Sequence, residues 1–186
     1  NRLCGNIQTA DAVEILTQVA DENEFIELKS DYGTDMAIGF IRLDGETVGC
    51  VANKEEKIST QGAKKAASFI KLCDAFGVGI LTFTDVTGYA ADLEQEKELA
   101  QAVGTMTGAF VQASVPKVNV ITKKAFGSAY VSMNSKAVGA DLVYAWEDAK
   151  IGMMEADMAA KIMNPGADAD VLKEKAQEYE KLQSDV

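Results

Sequence analysis

Histidine is absent from the 186-residue chain, and its absence excludes two large classes of site. A Ser-His-Asp or Cys-His catalytic device needs an imidazole base, so this chain alone can build neither. Zinc sites that use imidazole ligands are excluded for the same reason. Acid–base chemistry must therefore come from carboxylates, lysine, tyrosine, the substrate or another chain. We predict no metal site.

Cysteine, basic charge and long apolar runs are also scarce. Cys4, Cys50 and Cys73 show no CxxC spacing, so we expect three reduced thiols in a cytoplasmic protein. The formal net charge of −11 argues against nucleic acid, because phosphate binding needs a basic face. No apolar run approaches the roughly 18 residues that cross a membrane, and no signal peptide is visible. Because the chain begins at Asn1 and not at Met, we expect a piece of a longer protein.

Helical and extended patterns alternate along the chain, which predicts an α/β fold with parallel crossovers. Asp44-Gly45 between the apolar runs 36–43 and 46–52 predicts a hairpin. Ser59 or Thr60 is expected to cap a helix with two faces. The predicted apolar face holds Ala66, Phe69, Ile70, Cys73 and Phe76, and the predicted polar face holds Lys64, Lys65, Lys71 and Asp74.

The second half of the chain continues this alternation. Gly104 and Gly108, four residues apart on a long predicted helix, would let another backbone approach, and Met106 and Phe110 suggest an apolar face for a partner. The remaining predicted elements are strands at 80–83, 117–122, 141–146 and 151–154, helices at 93–113, 129–136, 155–163 and about 171–182, and a loop at 123–128.

Three short segments have the residue types that chemistry requires. Residues 126–130 (FGSAY) join a strand to a helix whose first N–H groups can stabilise an oxyanion. Residues 85–89 (DVTGY) follow a strand at the edge where α/β sheets bind ligands. Residues 153–157 (MMEAD) hold carboxylates for proton transfer. Taken singly, each is also explained by an ordinary turn or a solvated helix start.

Read together in chain order, five stretches resemble the β-type carboxyltransferase family of biotin-dependent acyl-CoA carboxylases and decarboxylases, which includes propionyl-CoA, methylmalonyl-CoA, glutaconyl-CoA and acetyl-CoA types. The resemblance implies a crotonase-like (ClpP/crotonase) ββα spiral in a single domain. It also implies that residues 1–186 are the C-terminal carboxyltransferase domain, without the N-terminal one. The stretches are 45–53 (GETVGCVAN), 62–76 (GAKKAASFIKLCDAF), 81–88 (LTFTDVTG), 113–120 (ASVPKVNV) and 124–146 (KAFGSAYVSMNSKAVGADLVYAW).

The family's Gly-Gly-Ala turn, whose N–H groups hold the ureido oxygen of biotin, reads Gly127-Ser128-Ala129 in this chain. The resemblance implies that the N–H groups of Ser128 and Ala129 form an oxyanion hole and that Gly127 shapes the turn. The family uses the position of Val131 to tune acyl-chain preference. The substrate-binding residues implied in this way are Gly88, Tyr89, Phe126, Tyr130 and Val131.

The implied activity is carboxyl transfer between biotin, carried by a partner protein, and an acyl-CoA substrate. The implied partners are the N-terminal carboxyltransferase domain of another protomer, a biotin carboxyl carrier protein, and a biotin carboxylase or a membrane decarboxylase subunit, in a homo-oligomer. The isolated chain is then expected to be inactive. A single-domain crotonase-type hydratase or isomerase using Glu155 and a non-catalytic assembly module are the alternatives.

The chain departs from the family pattern at three places, and the acyl-CoA and the direction of transfer stay open. Thr87 replaces a proline, and residues 89–92 (YAAD) replace Phe-Leu-Pro-Gly. Residues 155–158 (EADM) replace a glycine-rich turn.

Overall fold

The computed structural model describes residues 9–183, and helices alternate with strands as the α/β prediction requires. Cys4 lies outside the described residues. Short 3-10 helices occupy Asp21–Asn23 and Lys136–Val138. The α-helices are α1 (Ala12–Val19), α2 (Thr60–Ala75), α3 (Leu93–Gln112), α4 (Gly127–Ser132), α5 (Ala156–Met163) and α6 (Ala169–Gln183). The strands are β1 (Ile26–Leu28), β2 (Met36–Leu43), β3 (Glu46–Asn53), β4 (Lys57–Ile58), β5 (Ile80–Val86), β6 (Gly88–Tyr89), β7 (Lys117–Phe126), β8 (Leu142–Ala145) and β9 (Lys150–Gly152).

One mixed sheet organises the chain, in the order β1-β2-β3-β5-β7-β8. Strands β1, β2 and β3 pair antiparallel, whereas β3, β5, β7 and β8 pair parallel. Residues 118–121 of β7 pair with β8 and residues 124–126 pair with β9, so two strands share one side of β7. Strands β4 and β6 form a separate two-stranded parallel sheet.

Local signals in the sequence explain several element boundaries. The hairpin prediction is confirmed: Asp44 (φ +54°) and Gly45 (φ +83°) form the turn between β2 and β3. The Ser59 hydroxyl caps α2 by accepting from the Gly62 N–H at 2.9 Å, so of the two candidates Ser59 is the cap. In the same way Asp11 caps α1 by accepting from the Glu14 N–H at 2.7 Å.

Apolar side chains cover both faces of the sheet. Helices α2, α3 and α4 pack on one face around the fully buried Ile70, Met106 and Phe110. On the other face α1 buries Ile15 and Leu16. Within residues 9–183 no helix is long and apolar enough to cross a membrane.

Two predictions on α2 are wrong. Lys65 was expected on the polar face but is 1% exposed, and its Nζ donates to the Met36 carbonyl at 2.7 Å and to the Gly33 carbonyl at 3.4 Å. Burial lowers the pKa of this ammonium group. Phe76 was expected on the apolar face, yet it caps the helix end and is 77% exposed.

The segment predicted as a loop over 123–128 is also wrong. Strand β7 continues through Phe126 because residues 124–126 pair with β9 and Ala125 pairs with Val86 of β5, and α4 starts at Gly127. Strand β5 likewise extends three residues beyond the predicted 80–83.

The prediction that Met106 and Phe110 belong to an apolar partner face on α3 is wrong, whereas the approach of another chain at Gly104 and Gly108 stays a prediction. Met106 and Phe110 are fully buried in the core of this chain. A Cβ built at Gly104 or Gly108 meets nothing within 4 Å, so among residues 9–183 no backbone uses these glycines for close approach.

Candidate functional site

The site is centred on the joint between β7 and α4. Phe126 is extended (φ −113°) and Gly127 adopts φ +58°, a left-handed conformation that favours glycine. A Cβ at Gly127 would stand 2.9 Å from the Met153 carbonyl oxygen, so the turn has no room for a side chain. Glycine is therefore required here both for its backbone angle and for its size.

The first turn of α4 presents N–H groups that have no partner within the helix. The N-cap residue, Phe126, makes no side-chain cap, so the cap position offers these groups no side-chain acceptor. Ser128 is exposed, whereas Ala129 is 1% exposed and packs into the main core with Met133. Ala129 thus anchors the turn in the core, and Ser128 faces the surface. The positive end of the peptide dipoles lies at the N-terminus of α4.

The predicted residues Gly88 and Tyr89 form β6, which lies against this helix. The Tyr89 hydroxyl is 2.7 Å from the Ser132 hydroxyl and donates to the Ser128 carbonyl at 3.0 Å. The Ser132 hydroxyl is 2.9 Å from the same carbonyl. Sequence reasoning missed Ser132; its spacing of four residues from Ser128 on one helix was the signal that places the two together.

Tyr130 and Val131 follow on α4 and differ in exposure. Tyr130 is half-buried, and burial raises the pKa of its phenol. Val131 is 40% exposed and so is available to a ligand. Phe126 is 5% exposed and lines a neighbouring cavity of about 330 Å³ between the ends of β7 and β9 and helices α5 and α6.

An ion-pair network stands at the entrance of that cavity. The Lys124 ammonium is 2.9 Å from a carboxylate oxygen of Glu56 and 3.3 Å from one of Glu155. Burial by itself would lower the pKa of Lys124, but the hydrogen bonds to the two carboxylates raise it overall. Glu155 therefore faces a fixed cation, an interaction that the sequence did not predict.

Asp85 belongs to a different part of the sheet edge. Its carboxylate accepts from the Lys124 N–H at 3.2 Å and is 3.5 Å from the Lys123 ammonium. Burial raises the pKa of Asp85, although Lys123 opposes this effect. Asp85 lines a separate small cleft beside α1, so this carboxylate does not line the cavity beside α5 and α6.

Comparison with known proteins gives consistent results for sequence and structure. The sequence matches the carboxyl transferase domain over residues 5–185. It is 38% identical over 182 residues to the putative propionyl-CoA carboxylase beta chain of Bacillus subtilis, covering 92% of this chain and 36% of that protein. It is 39% identical over 159 residues to the mitochondrial propionyl-CoA carboxylase beta chain of Homo sapiens, covering 83% and 30%.

The structure resembles solved carboxyltransferases. A transcarboxylase 12S structure, a hexamer assembly with methylmalonyl-CoA bound, superposes with a TM-score of 0.89 and 30% identity over 94% of this chain and 35% of that one. The geranyl-CoA carboxylase beta subunit of P. aeruginosa gives 0.85 and 26% identity over 94% and 36%. These neighbours confirm the crotonase-like α/β fold. The chain spans about a third of the length of the relatives it matches.

Proposed function

Because the chain belongs to the carboxyl transferase domain family, we propose that it supplies the biotin-side half of a site that transfers a carboxyl group between biotin and an acyl-CoA. In this proposal residues 1–186 are the C-terminal carboxyltransferase domain. The observation that best supports it is the start of α4, where a left-handed Gly127 precedes the exposed backbone of Ser128. In the resemblance drawn from the sequence, these same residues correspond to the family's turn for the ureido oxygen.

The residues at this turn fit an anionic oxygen. Biotin on a carrier protein supplies the carboxyl group and, once that group leaves, a ureido oxygen that bears negative charge. We infer that the N–H groups of Ser128 and Ala129 donate to this oxygen, while Gly127 keeps the turn open for its approach. Oriented backbone donors of this kind need no histidine, which agrees with the composition of the chain.

The acyl-CoA side of the proposed site includes residues of this chain and of a second domain. Phe126, Tyr130 and Val131 are proposed to line the acyl pocket, with Gly88 and Tyr89 beside it. The N-terminal carboxyltransferase domain of another protomer would hold the CoA within a homo-oligomer. The further proposed partners are a biotin carboxyl carrier protein and either a biotin carboxylase or a membrane decarboxylase subunit, in the cytoplasm.

The hydratase alternative is not favoured. Its candidate base, Glu155, is paired with the Lys124 ammonium at 3.3 Å, and the similar proteins are carboxyltransferases. Hydration of crotonyl-CoA by the chain alone would revive that alternative.

The backbone assignment is tested with Ser128→Ala and Ala129→Pro in the chain combined with an N-terminal carboxyltransferase domain and a biotinylated carrier. Ser128→Ala should keep most of the transfer rate, because only the side chain is changed. Ala129→Pro removes one donor, and loss of one oxyanion donor costs about 10²–10³-fold in rate. Circular dichroism must show that both variants fold. Proline is tolerated in the first turn of a helix, where Ala129 lies, but it disrupts later turns.

Two results would contradict the proposal. One is loss of transfer in Ser128→Ala together with full transfer in a folded Ala129→Pro. The other is robust turnover of methylmalonyl-CoA and free biotin by the isolated chain. The isolated chain holds only half of the proposed site, so it should not catalyse this reaction. An intact complex that transfers nothing would instead favour the assembly module.

A further inference from the structure

Three oxygen atoms lie within hydrogen-bonding distance of one another behind the first turn of α4 and form a triangle. They are the Tyr89 hydroxyl, the Ser132 hydroxyl and the Ser128 carbonyl, and the three separations are 2.7, 2.9 and 3.0 Å. Ser132 is 4% exposed and Tyr89 is half-buried, so the two contacts of the Ser132 hydroxyl are partly shielded from water, whereas the contact between Tyr89 and the Ser128 carbonyl is exposed. A serine that bonds the carbonyl four residues earlier is common in helices. The tyrosine is different, because it comes from β6, 39 residues before Ser128 in the chain.

The triangle determines the direction of one particular N–H group. The Ser128 carbonyl and the Ala129 N–H belong to the same planar trans peptide and point in opposite directions. Holding the carbonyl toward Tyr89 therefore aims the Ala129 N–H toward the start of the helix. Donation to the carbonyl also polarises the peptide and makes its N–H a stronger donor.

We propose that Tyr89 and Ser132 are positioning residues that orient and polarise the Ser128–Ala129 peptide for its role as an oxyanion donor. This inference rests on the proposed function, and it gives the Tyr89 hydroxyl a role different from the substrate contact predicted from the sequence.

The hydroxyls of Tyr89 and Ser132 share the donation to the Ser128 carbonyl. Each hydroxyl has one hydrogen, so two hydrogens serve three contacts. If the Tyr89 hydroxyl donates to Ser132, the Ser132 hydroxyl donates to the Ser128 carbonyl. If the Ser132 hydroxyl donates to Tyr89 instead, the Tyr89 hydroxyl donates to that carbonyl. The Ser128 carbonyl thus always receives at least one bond. Removing one hydroxyl leaves the other in place, and only the double variant leaves the carbonyl without either.

The test combines Tyr89→Phe, Ser132→Ala and the double variant, with Tyr144→Phe as control because Tyr144 is 55% exposed on β8. Each single variant should lower kcat for carboxyl transfer about 2–10-fold, the effect of one ordinary hydrogen bond. The double variant should lose more than the product of the singles, toward the roughly 10²–10³-fold cost of a lost oxyanion donor. The KM for acyl-CoA should stay unchanged, and the control should match the wild type.

A direct readout comes from the amide proton shift of Ala129, measured by NMR on the isotopically labelled chain. We expect an upfield movement in the double variant and none in Tyr144→Phe. An unmoved Ala129 shift, or a moved shift with an unchanged kcat, would overturn the inference. Biotin added to the wild-type chain tests the proposed function separately. Amides of Ser128 and Ala129 that do not respond to biotin would overturn both ideas, whereas responding wild-type amides with unmoved variants would overturn the positioning role alone.

Discussion

Gly127→Ala is the substitution for which the structure gives the clearest magnitude. An alanine at φ +58° costs about 1–2 kcal/mol, because its Cβ clashes with its own backbone. The new Cβ would also stand 2.9 Å from the Met153 carbonyl oxygen, and a backbone atom cannot move away as a flexible side chain can. Such overpacking typically adds about 1–3 kcal/mol. We therefore expect the free energy of unfolding to fall by about 2–5 kcal/mol in total.

Gly77→Ala is a matched control for this change. Gly77 has a similar φ of +67°, but a Cβ there meets nothing within 4 Å. It should lose only the conformational part, about 1–2 kcal/mol. Urea denaturation of both variants gives the two free energies, and their difference isolates the contact with Met153. Equal losses in the two variants would refute the claim that the turn has no room for a side chain at Gly127.

Three further predictions concern other parts of the chain. Lys65→Ala should lower the free energy of unfolding by about 2–4 kcal/mol in urea denaturation, because it empties a buried site and removes the ammonium donor to the Met36 carbonyl, whereas the exposed Lys71→Ala on the same helix should have little effect. Burial raises the pKa of the Cys73 thiol from 9.0 to about 11, so the native state holds its proton while the unfolded state loses it; this thiol should take about 2–3 kcal/mol from the stability between pH 9 and 11. Because burial raises the pKa of Cys50 as well, Cys73→Ala should remove only that share of the decline in urea titrations with reductant. Gly104→Ala should raise the free energy of unfolding by about 0.5–1 kcal/mol, because the site is helical and open; a loss of stability would show that the helix is packed more closely than the structure indicates.

Patterns that depend only on neighbouring residues could be predicted from the sequence. The hairpin at Asp44-Gly45 follows from the turn residues, and the caps at Asp11 and Ser59 follow from a side chain that bonds an N–H three residues later. The alternation of helices and strands likewise follows from hydrophobic periodicity. These features require no knowledge of what packs against them.

Features that depend on distant partners could not be predicted in this way. Periodicity placed Lys65 on a polar face, but two carbonyls at 33 and 36, contributed from outside its helix, make its burial possible. The strand β7 was predicted four residues too short, since the strand that pairs with its last three residues, β9, comes from elsewhere in the chain. In the site, resemblance located the turn, yet the bond from Tyr89 to Ser128 joins residues 39 apart and has no local signature.

The order of strands has a consequence for how the protein behaves at high concentration. Among residues 9–183 the strands at the margins of the main sheet are short: β1 and β9 have three residues and β8 has four. The strands of seven to ten residues are all interior and have a neighbour on both sides, although over part of their length only: β1 covers residues 38–40 of β2. Unpaired N–H and C=O groups along a long margin are what recruit a foreign strand and start aggregation. Because its long strands are interior, this sheet exposes only a few unpaired backbone groups with which a strand of another molecule could pair.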